Sequence, residues 1–338
     1  MKRSLARLSI PLHEPFATAG GVVAERELVL VRLEDEDGTV GYGEAAPLPS
    51  YDGVTLDDVL AALRSGEGVG NGPPQARAAE EMARLDLEAN REGRAIGEPG
   101  ADAIVVNRTL AGGPPAEVAE RAAEGVREGF SCFKVKVGLP DDDERVAAVR
   151  EAVGPWPAIR IDANGAWSAA EAINAIERLK EHDLQLVEQP CATLEELAEV
   201  RRAVEVPIAA DESVATAEDV RAAASREACD IVNVKLAPSG GFSAAREALR
   251  EARKHGLGAF LSSTLDGPWG ISAALQLAAA ERLQLACGLA TLELFDATLA
   301  LALPPPTDGL LVVPQGPGLG LALDDDAIAE VLVEELPQ

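Results

Sequence analysis

Residues 131–140 read SCFKVKVGLP, 160–167 RIDANGAW, 186–190 LVEQP, 209–213 AADES and 230–241 DIVNVKLAPSGG. Each is a short apolar or β-branched run that ends on charge: Lys134 and Lys136, then Asp162, Glu188, Asp211 and Lys235. From Lys136 onward the charges follow at intervals of 26, 26, 23 and 24 residues. A strand, a helix and their two loops need roughly 25 residues, so the interval predicts consecutive βα units with one charge at the end of each strand. Strands covered by helices on one face and by barrel packing on the other are apolar throughout, and an ionic group closing one needs a reason. In a (β/α) barrel the C-terminal strand ends share one mouth, where active sites are assembled. Five such units bring two or three ammonium groups and three carboxylates around it.

Converging carboxylates repel, and burying them unpaired is expensive. A divalent cation resolves the conflict. All-oxygen donors favour a hard ion, Mg²⁺ first with Mn²⁺ or Ca²⁺ behind it, and the absence of Cys and His among them argues against zinc. Lysines beside such a metal suit proton chemistry next to a carboxylate substrate, because metal and ammonium together stabilise the enediolate left when an α-proton departs.

In this order and spacing, Lys-x-Lys, Asp-x-Asn, Glu-Gln-Pro, Asp-Glu-Ser and Asn-x-Lys resemble the enolase superfamily, specifically its muconate-lactonizing subgroup. The match runs over roughly residues 100 to 290. The resemblance implies Asp162, Glu188 and Asp211 as Mg²⁺ ligands, with Mn²⁺ as the substitute. It implies Lys136, second of the Lys134-x-Lys136 pair, as general base, and Lys235 across the substrate as second acid/base or cationic stabiliser. Lys134 shares the face of Lys136 by strand alternation and joins the catalytic set.

Further candidates follow from shared strand faces. Asn164 lies on the face of Asp162, as a substrate contact, an outer support or an ordinary turn cap. Asn233 shares the face of Lys235, as a substrate contact or a support for base or metal. Glu212 follows Asp211 directly and is expected to point elsewhere. The seventh strand region, GAFLSSTLDGPWG at 258–270, carries no His. That sets the chain apart from those related dehydratases whose base is a His there. Dipeptide epimerases typically present an Asp-x-Asp pair at the eighth strand. Here ACGLATLELFDATLAL at 286–301 offers Glu293 and Asp296, which do not form it. SSTLDGPWG with ACGLAT after it resembles the o-succinylbenzoate synthases of menaquinone biosynthesis, a likeness of loops. It implies dehydration of a cyclohexadiene carboxylate, with Ser262, Ser263 and Thr264 meeting the succinyl tail. N-acylamino-acid racemisation, dipeptide epimerisation and muconate-type cycloisomerisation are the alternatives inside the superfamily. A Schiff-base lysine aldolase and a non-enzymatic barrel are those outside it.

Outward from this centre, barrel strands are expected near 104–107, 132–137, 158–162, 185–188, 207–211, 230–235, 258–262 and 284–288. Helices are expected at 115–128, 168–182, 194–204, 216–226, 242–254 and 270–282. Before them, residues 4–10, 27–34 and 38–44 read as three antiparallel strands, and 55–64 and 75–92 as helices. The fold class is therefore α/β: a modified (β/α)8 TIM-type barrel over residues 101–300 and an α+β capping domain over 1–100. A Pro/Gly-rich return over 301–338 packs on the cap. The family resemblance implies that Phe16–Val22 and Pro47–Tyr51 act as specificity loops, although Gly20-Gly21 by itself reads as a plain loop.

Composition sets the remaining bounds. Over 338 residues, 57 acidic against 30 basic side chains give a net charge of −27, which excludes nucleic acid and anionic membrane as partners. The expected partner is a small-molecule carboxylate, drawn in by local positive charge, with monomer and homo-oligomer both open. Lysine is confined to six positions, three of them in the proposed site, as expected where a tunable amine is needed that Arg cannot supply. MKRSLARLSIPLHEPF lacks a long apolar stretch and no run reaches membrane-spanning length, so no signal peptide or span is expected. Four separated cysteines without a CxxC pair predict reduced thiols and a cytoplasmic location.

Overall fold

The computed structural model describes residues 1–66, 70, 72–322 and 325–336. Residues 323–324 and 337–338 of the C-terminal return lie outside the described residues. The chain opens with β1 (Lys2–Thr18), β2 (Gly21–Glu34) and β3 (Val40–Ala45), an antiparallel meander on which helix Pro74–Glu92 packs. Gly41 and Gly43 permit that packing. A Cβ on either would come within 2.3 Å and 2.0 Å of the carbonyl oxygens of Ala83 and Ala79. β1 and β2 run much longer than alternation predicts. Thr18 pairs with Gly21, which makes Gly20-Gly21 the turn of a hairpin tip, and Thr18 Oγ1 accepts from Gly20 N at 3.1 Å. Gly21 has φ +132°, a value that favours glycine.

β4 (Ala103–Val105) and β5 (Arg108–Leu110) precede β6 (Cys132–Lys136), β7 (Ala158–Asp162), β8 (Leu184–Glu188), β9 (Ile208–Ala210), β10 (Ile231–Val234) and β11 (Gly258–Leu261). The last six and β5 form one curled parallel sheet in the order β11-β10-β9-β8-β7-β6-β5. The first barrel strand is thus Arg108–Leu110, several residues beyond the 104–107 expected. The apolar run at 103–105 pairs instead, antiparallel, with β12 (Leu310–Val312). The strand expected at 284–288 is reduced to Cys287 and Gly288, which nevertheless join the sheet's two edges. Cys287 N donates to Val105 O at 2.8 Å and its carbonyl accepts from Asn107 N at 3.0 Å. On the other side Gly288 N donates to Leu261 O at 2.8 Å and its carbonyl accepts from Ser263 N at 3.1 Å.

Three of the connecting helices start where their caps dictate. Ser168/Glu171, Thr193/Glu196 and Thr216/Asp219 each form a capping box. Helix Asp142–Val153, between β6 and β7, is additional to those expected. Three acids in the first turn suit the positive end of the helix dipole. At the far end β13 (Leu332–Leu336) pairs antiparallel with β1 and completes a four-stranded sheet, β13-β1-β2-β3. Among the described residues no helix is long and apolar enough to cross a membrane. Cys132, Cys191, Cys229 and Cys287 are all buried and unbridged.

Candidate active site

The register of the sheet brings the charged strand ends together. Lys136 lies opposite Asp162, and Asp162 opposite Glu188. Asp211 and Lys235 come one residue after β9 and β10. All are buried at the mouth, although burying an ion unpaired is costly. The pairing is dense. Lys134 Nζ lies 2.7 Å from Glu188 Oε1 and 2.8 Å from Asp162 Oδ2. Lys136 Nζ lies 2.6 Å from Asp162 Oδ2 and donates to Asn164 Oδ1 at 2.9 Å. Lys235 Nζ is ion-paired with Asp211 Oδ1 and donates to the Tyr51 hydroxyl at 3.1 Å. That hydroxyl donates to Asp211 Oδ1 at 3.0 Å, and Lys235 Nζ stands 4.2 Å from the Tyr51 ring centroid.

Asp162, Glu188 and Asp211 each offer a carboxylate oxygen, and these oxygens lie within 4.8 Å of one another. Burial pushes Glu188 up to about 7, with Lys134 offsetting part of the rise. Burial likewise raises Asp211, against the pull of Lys235. Asp162 goes the other way: burial acts to raise it, but Lys134 and Lys136 outweigh burial and hold it below the ordinary range. Lys134, pulled down by burial, is held above its ordinary range by Asp162 and Glu188. Glu188 Oε2 is buried with no hydrogen-bond partner. A clustered all-oxygen donor set with one orphaned buried oxygen fits a divalent cation of the Mg²⁺ type.

A cavity of about 280 Å³ opens over this cluster. Lys134, Lys136, Asn164, Asp211, Glu212 and Lys235 line its charged side. Ser262, Ser263, Thr264, Leu265, Gly288 and Thr291 line the other, joined by Asn107, Thr109 and Phe260. The hairpin tip contributes Phe16, Thr18, Gly20 and Val23, and the loop after β3 contributes Leu48, Ser50 and Tyr51. Both stretches named as candidate specificity loops therefore reach the cavity.

The other sequence-derived candidates fall as follows. Asn233 is fully buried and faces Glu188, donating to Oε1 at 2.9 Å, so its side chain meets the carboxylate and does not line the cavity. Ser262 Oγ, which lines the cavity, donates to Asn233 Oδ1 at 2.7 Å. Ser263 Oγ pairs with Thr291 Oγ1 at 2.8 Å, and Thr264 Oγ1 donates to Asp266 Oδ1 at 2.8 Å, which commits that hydroxyl hydrogen away from the cavity. Glu212 is a correction. It was expected to point away, yet it lines the cavity and accepts from Asn164 Nδ2 at 2.9 Å, because the chain leaves the strand after Ala210 and alternation no longer applies. Tyr51 was named only as part of a loop. Its contact spans 160 residues, and no local pattern marks it.

A parallel barrel sheet with three carboxylates between opposed lysines defines a class, and the comparisons give it a name. The chain belongs to the enolase C-terminal domain-like family, whose model matches residues 117–327, and it is an enzyme of the enolase superfamily. Among individual relatives it is 38% identical over 299 residues to the o-succinylbenzoate synthase of Thermobifida fusca, an alignment covering 86% of this chain and 80% of that one. It is 31% identical over 307 residues to the L-Ala-D/L-Glu epimerase of Bacillus subtilis, covering 82% and 84%. Among solved structures, the dipeptide epimerase of Enterococcus faecalis complexed with Mg and L-Leu-L-Tyr superposes with a TM-score of 0.87 at 28% identity. That match covers 95% of this chain and 99% of that one.

Proposed function

We propose that this enzyme is a Mg²⁺-dependent o-succinylbenzoate synthase, dehydrating 2-succinyl-6-hydroxy-2,4-cyclohexadiene-1-carboxylate. The observation that carries this reading is the neutral far wall of the cavity. Among the described residues, the acidic side chains lining the cavity are Asp211 and Glu212, both on the charged side. Glu293 is spent on Arg108 at 2.7 Å, and Asp296 lies beside His13 at 3.4 Å. A dipeptide ammonium would want a carboxylate on that wall, whereas a succinyl tail wants hydroxyl and backbone N–H donors. The likeness to the Thermobifida fusca synthase over most of both chains supports the same reading.

In this scheme Asp162, Glu188 and Asp211 hold Mg²⁺, which when bound supplies Lewis-acid neutralisation of the substrate carboxylate. The Lys136 amine takes the proton from the ring carbon bearing that carboxylate. The resulting ammonium returns the proton to the departing hydroxyl, so that water leaves and the ring becomes aromatic. Lys235 faces the substrate from the other side of the triad, four strands from Lys136 in the sheet, and stabilises the enediolate by charge; Lys134 neutralises Asp162 and Glu188. Asn164 orients Lys136, Asn233 orients Glu188, and Ser262, Ser263 and Thr264 shape the wall for the tail. Residues 1–100 act as the capping domain and 101–300 as the catalytic barrel, with 301–338 returning to the cap. The two lysines on opposite sides also favour a second reading, racemisation of an N-acylamino acid, whose amide lacks an ammonium group.

The deciding experiment follows absorbance during incubation with the cyclohexadiene carboxylate, with Mg²⁺ and with EDTA, beside an N-succinylamino acid in D₂O. EDTA-sensitive aromatisation supports the synthase. Deuterium entering the α-position without aromatisation transfers the site to racemisation.

A further inference from the structure

Arg26 lies on β2 and is buried at 3% exposure, far from the triad by chain and by element. Its guanidinium holds three backbone carbonyls belonging to two different loops. Nε donates to Leu265 O at 3.2 Å, Nη1 to Pro47 O at 2.8 Å and Nη2 to Ala46 O at 3.0 Å. Ala46 and Pro47 open the cap loop that carries Leu48, Ser50 and Tyr51 to the cavity. Leu265 ends the barrel segment Ser262–Leu265 that forms the opposite wall. Leu265 is also held at φ +59°, a left-handed conformation that a branched side chain adopts only where its surroundings enforce it.

The residues on either side of Leu265 are fixed as well. Ser263 is tied to Thr291, and Thr264 to Asp266. Glu44, at the end of β3, accepts from Gly267 N at 2.7 Å and Gly270 N at 3.3 Å, so a cap carboxylate holds the N-terminal turn of barrel helix Pro268–Ala280. The positive charge of Arg26 acts on two buried carboxylates, Glu44 and Asp266. A guanidinium suits this place because its donors fan out in one plane; an ammonium cannot reach three carbonyls in that geometry.

We propose that Arg26, supported by Glu44 and Asp266, is a positioning residue that locks the cap loop and the Ser262–Gly267 wall into one substrate-binding surface. It touches neither lysine nor carboxylate of the reaction centre and reaches Lys235 and Asp211 only through Tyr51 at the far end of the loop, so its main effect falls on how substrate is held. The proposal rests on this cavity being the substrate site and on no particular carboxylate filling it.

The test uses the full-length protein with Arg26→Met and Arg26→Lys. Amide hydrogen exchange, read without substrate, is expected to rise in 46–52 and 262–270 of Arg26→Met while β6 to β9 keep wild-type protection. With the cyclohexadiene carboxylate, KM is expected to rise about tenfold and kcat to stay within about threefold, with Arg26→Lys recovering part of the KM. Unchanged exchange in both loops, or a uniform rise across the barrel, overturns the lock. So does a fall in kcat at constant KM. If Arg26→Met does not fold, Glu44→Ala, which removes both acceptors of the Gly267 and Gly270 amides, is read for the same two quantities: a rise confined to 262–270 with higher KM upholds the proposal, and no change in either overturns it. If wild type fails to turn over this substrate, the synthase reading falls. The exchange result then still decides the lock, and deuterium incorporation into an N-succinylamino acid supplies KM and kcat.

Discussion

The two halves of the barrel mouth differ in kind. From β6 to β10 each strand is closed by a charge, on its last residue or the one after, and the charges neutralise one another in a buried network. From β11 through Cys287 and Gly288 to β5, the lining is Ser262, Ser263, Thr264, Gly288, Thr291, Asn107 and Thr109, all neutral. In the proposed scheme the first half moves the proton and the second recognises the tail. Such a division would let a reaction centre be kept while substrates change, in keeping with this chain's sequence likeness to both a synthase and an epimerase.

The comparison breaks most decisively at Lys136. Lys136→Ala removes the proposed base while Lys134 still neutralises Asp162, so the protein should fold and turnover should fall by about 10⁴-fold. Wild-type-like turnover in the folded variant would sink the assignment of chemistry to the charged half. The next effect is on the metal. Asn233→Ala strips Glu188 Oε1 of a buried donor, and supports of this kind cost about 10- to 100-fold in metal affinity when removed. Calorimetric titration with Mg²⁺ reads it directly, and unchanged affinity would show that Asn233 does not serve the triad. On the neutral half, Ser263→Ala removes one hydroxyl pair and should raise KM by roughly fivefold, about 1 kcal/mol, with kcat steady. A loss in kcat instead would erase the division between the halves.

The charged half is the legible one, for a physical reason. An ion at the end of a strand buried on both faces stands out against its apolar run, and its recurrence every 23 to 26 residues reports the βα period itself. The neutral half has no such contrast. Ser and Thr beside glycine read as ordinary loop, and Cys287 and Gly288 close the sheet by backbone bonds that side-chain pattern does not encode. The first barrel strand was misplaced because Ala103–Val105 is the more apolar run, yet it pairs with β12 from the C-terminal return. Arg26 and Tyr51 were missed because their meaning comes from far away. Arg26 sits among Glu25 and Glu27 as if on a solvated strand face, and is buried by contacts that include a loop 239 residues later.

The smallest effect concerns pH and falls at the seam between cap and neutral wall. Burial, reinforced by Asp266, pushes the Glu44 carboxyl up to about 8, against the pull of the Gly267 and Gly270 amides and of Arg26. A carboxyl whose folded value lies above its unfolded value binds a proton that the unfolded chain has already released. Its contribution to stability is therefore complete below the ordinary carboxylate range and declines as pH rises toward about 8, beyond which both states are ionised and nothing further is lost. Glu44→Gln is neutral at every pH, and it leaves Asp266 facing Arg26 without a competing charge. Wild type should therefore lose stability relative to this variant across that window, measured by denaturant melts at matched ionic strength. The raised groups of the charged half, Asp211 and Glu188, titrate in both proteins and cancel in the difference. Parallel stability curves for the two proteins would mean that Glu44 keeps its charge throughout. The seam would then be held by a permanently charged Glu44 accepting from the Gly267 and Gly270 amides.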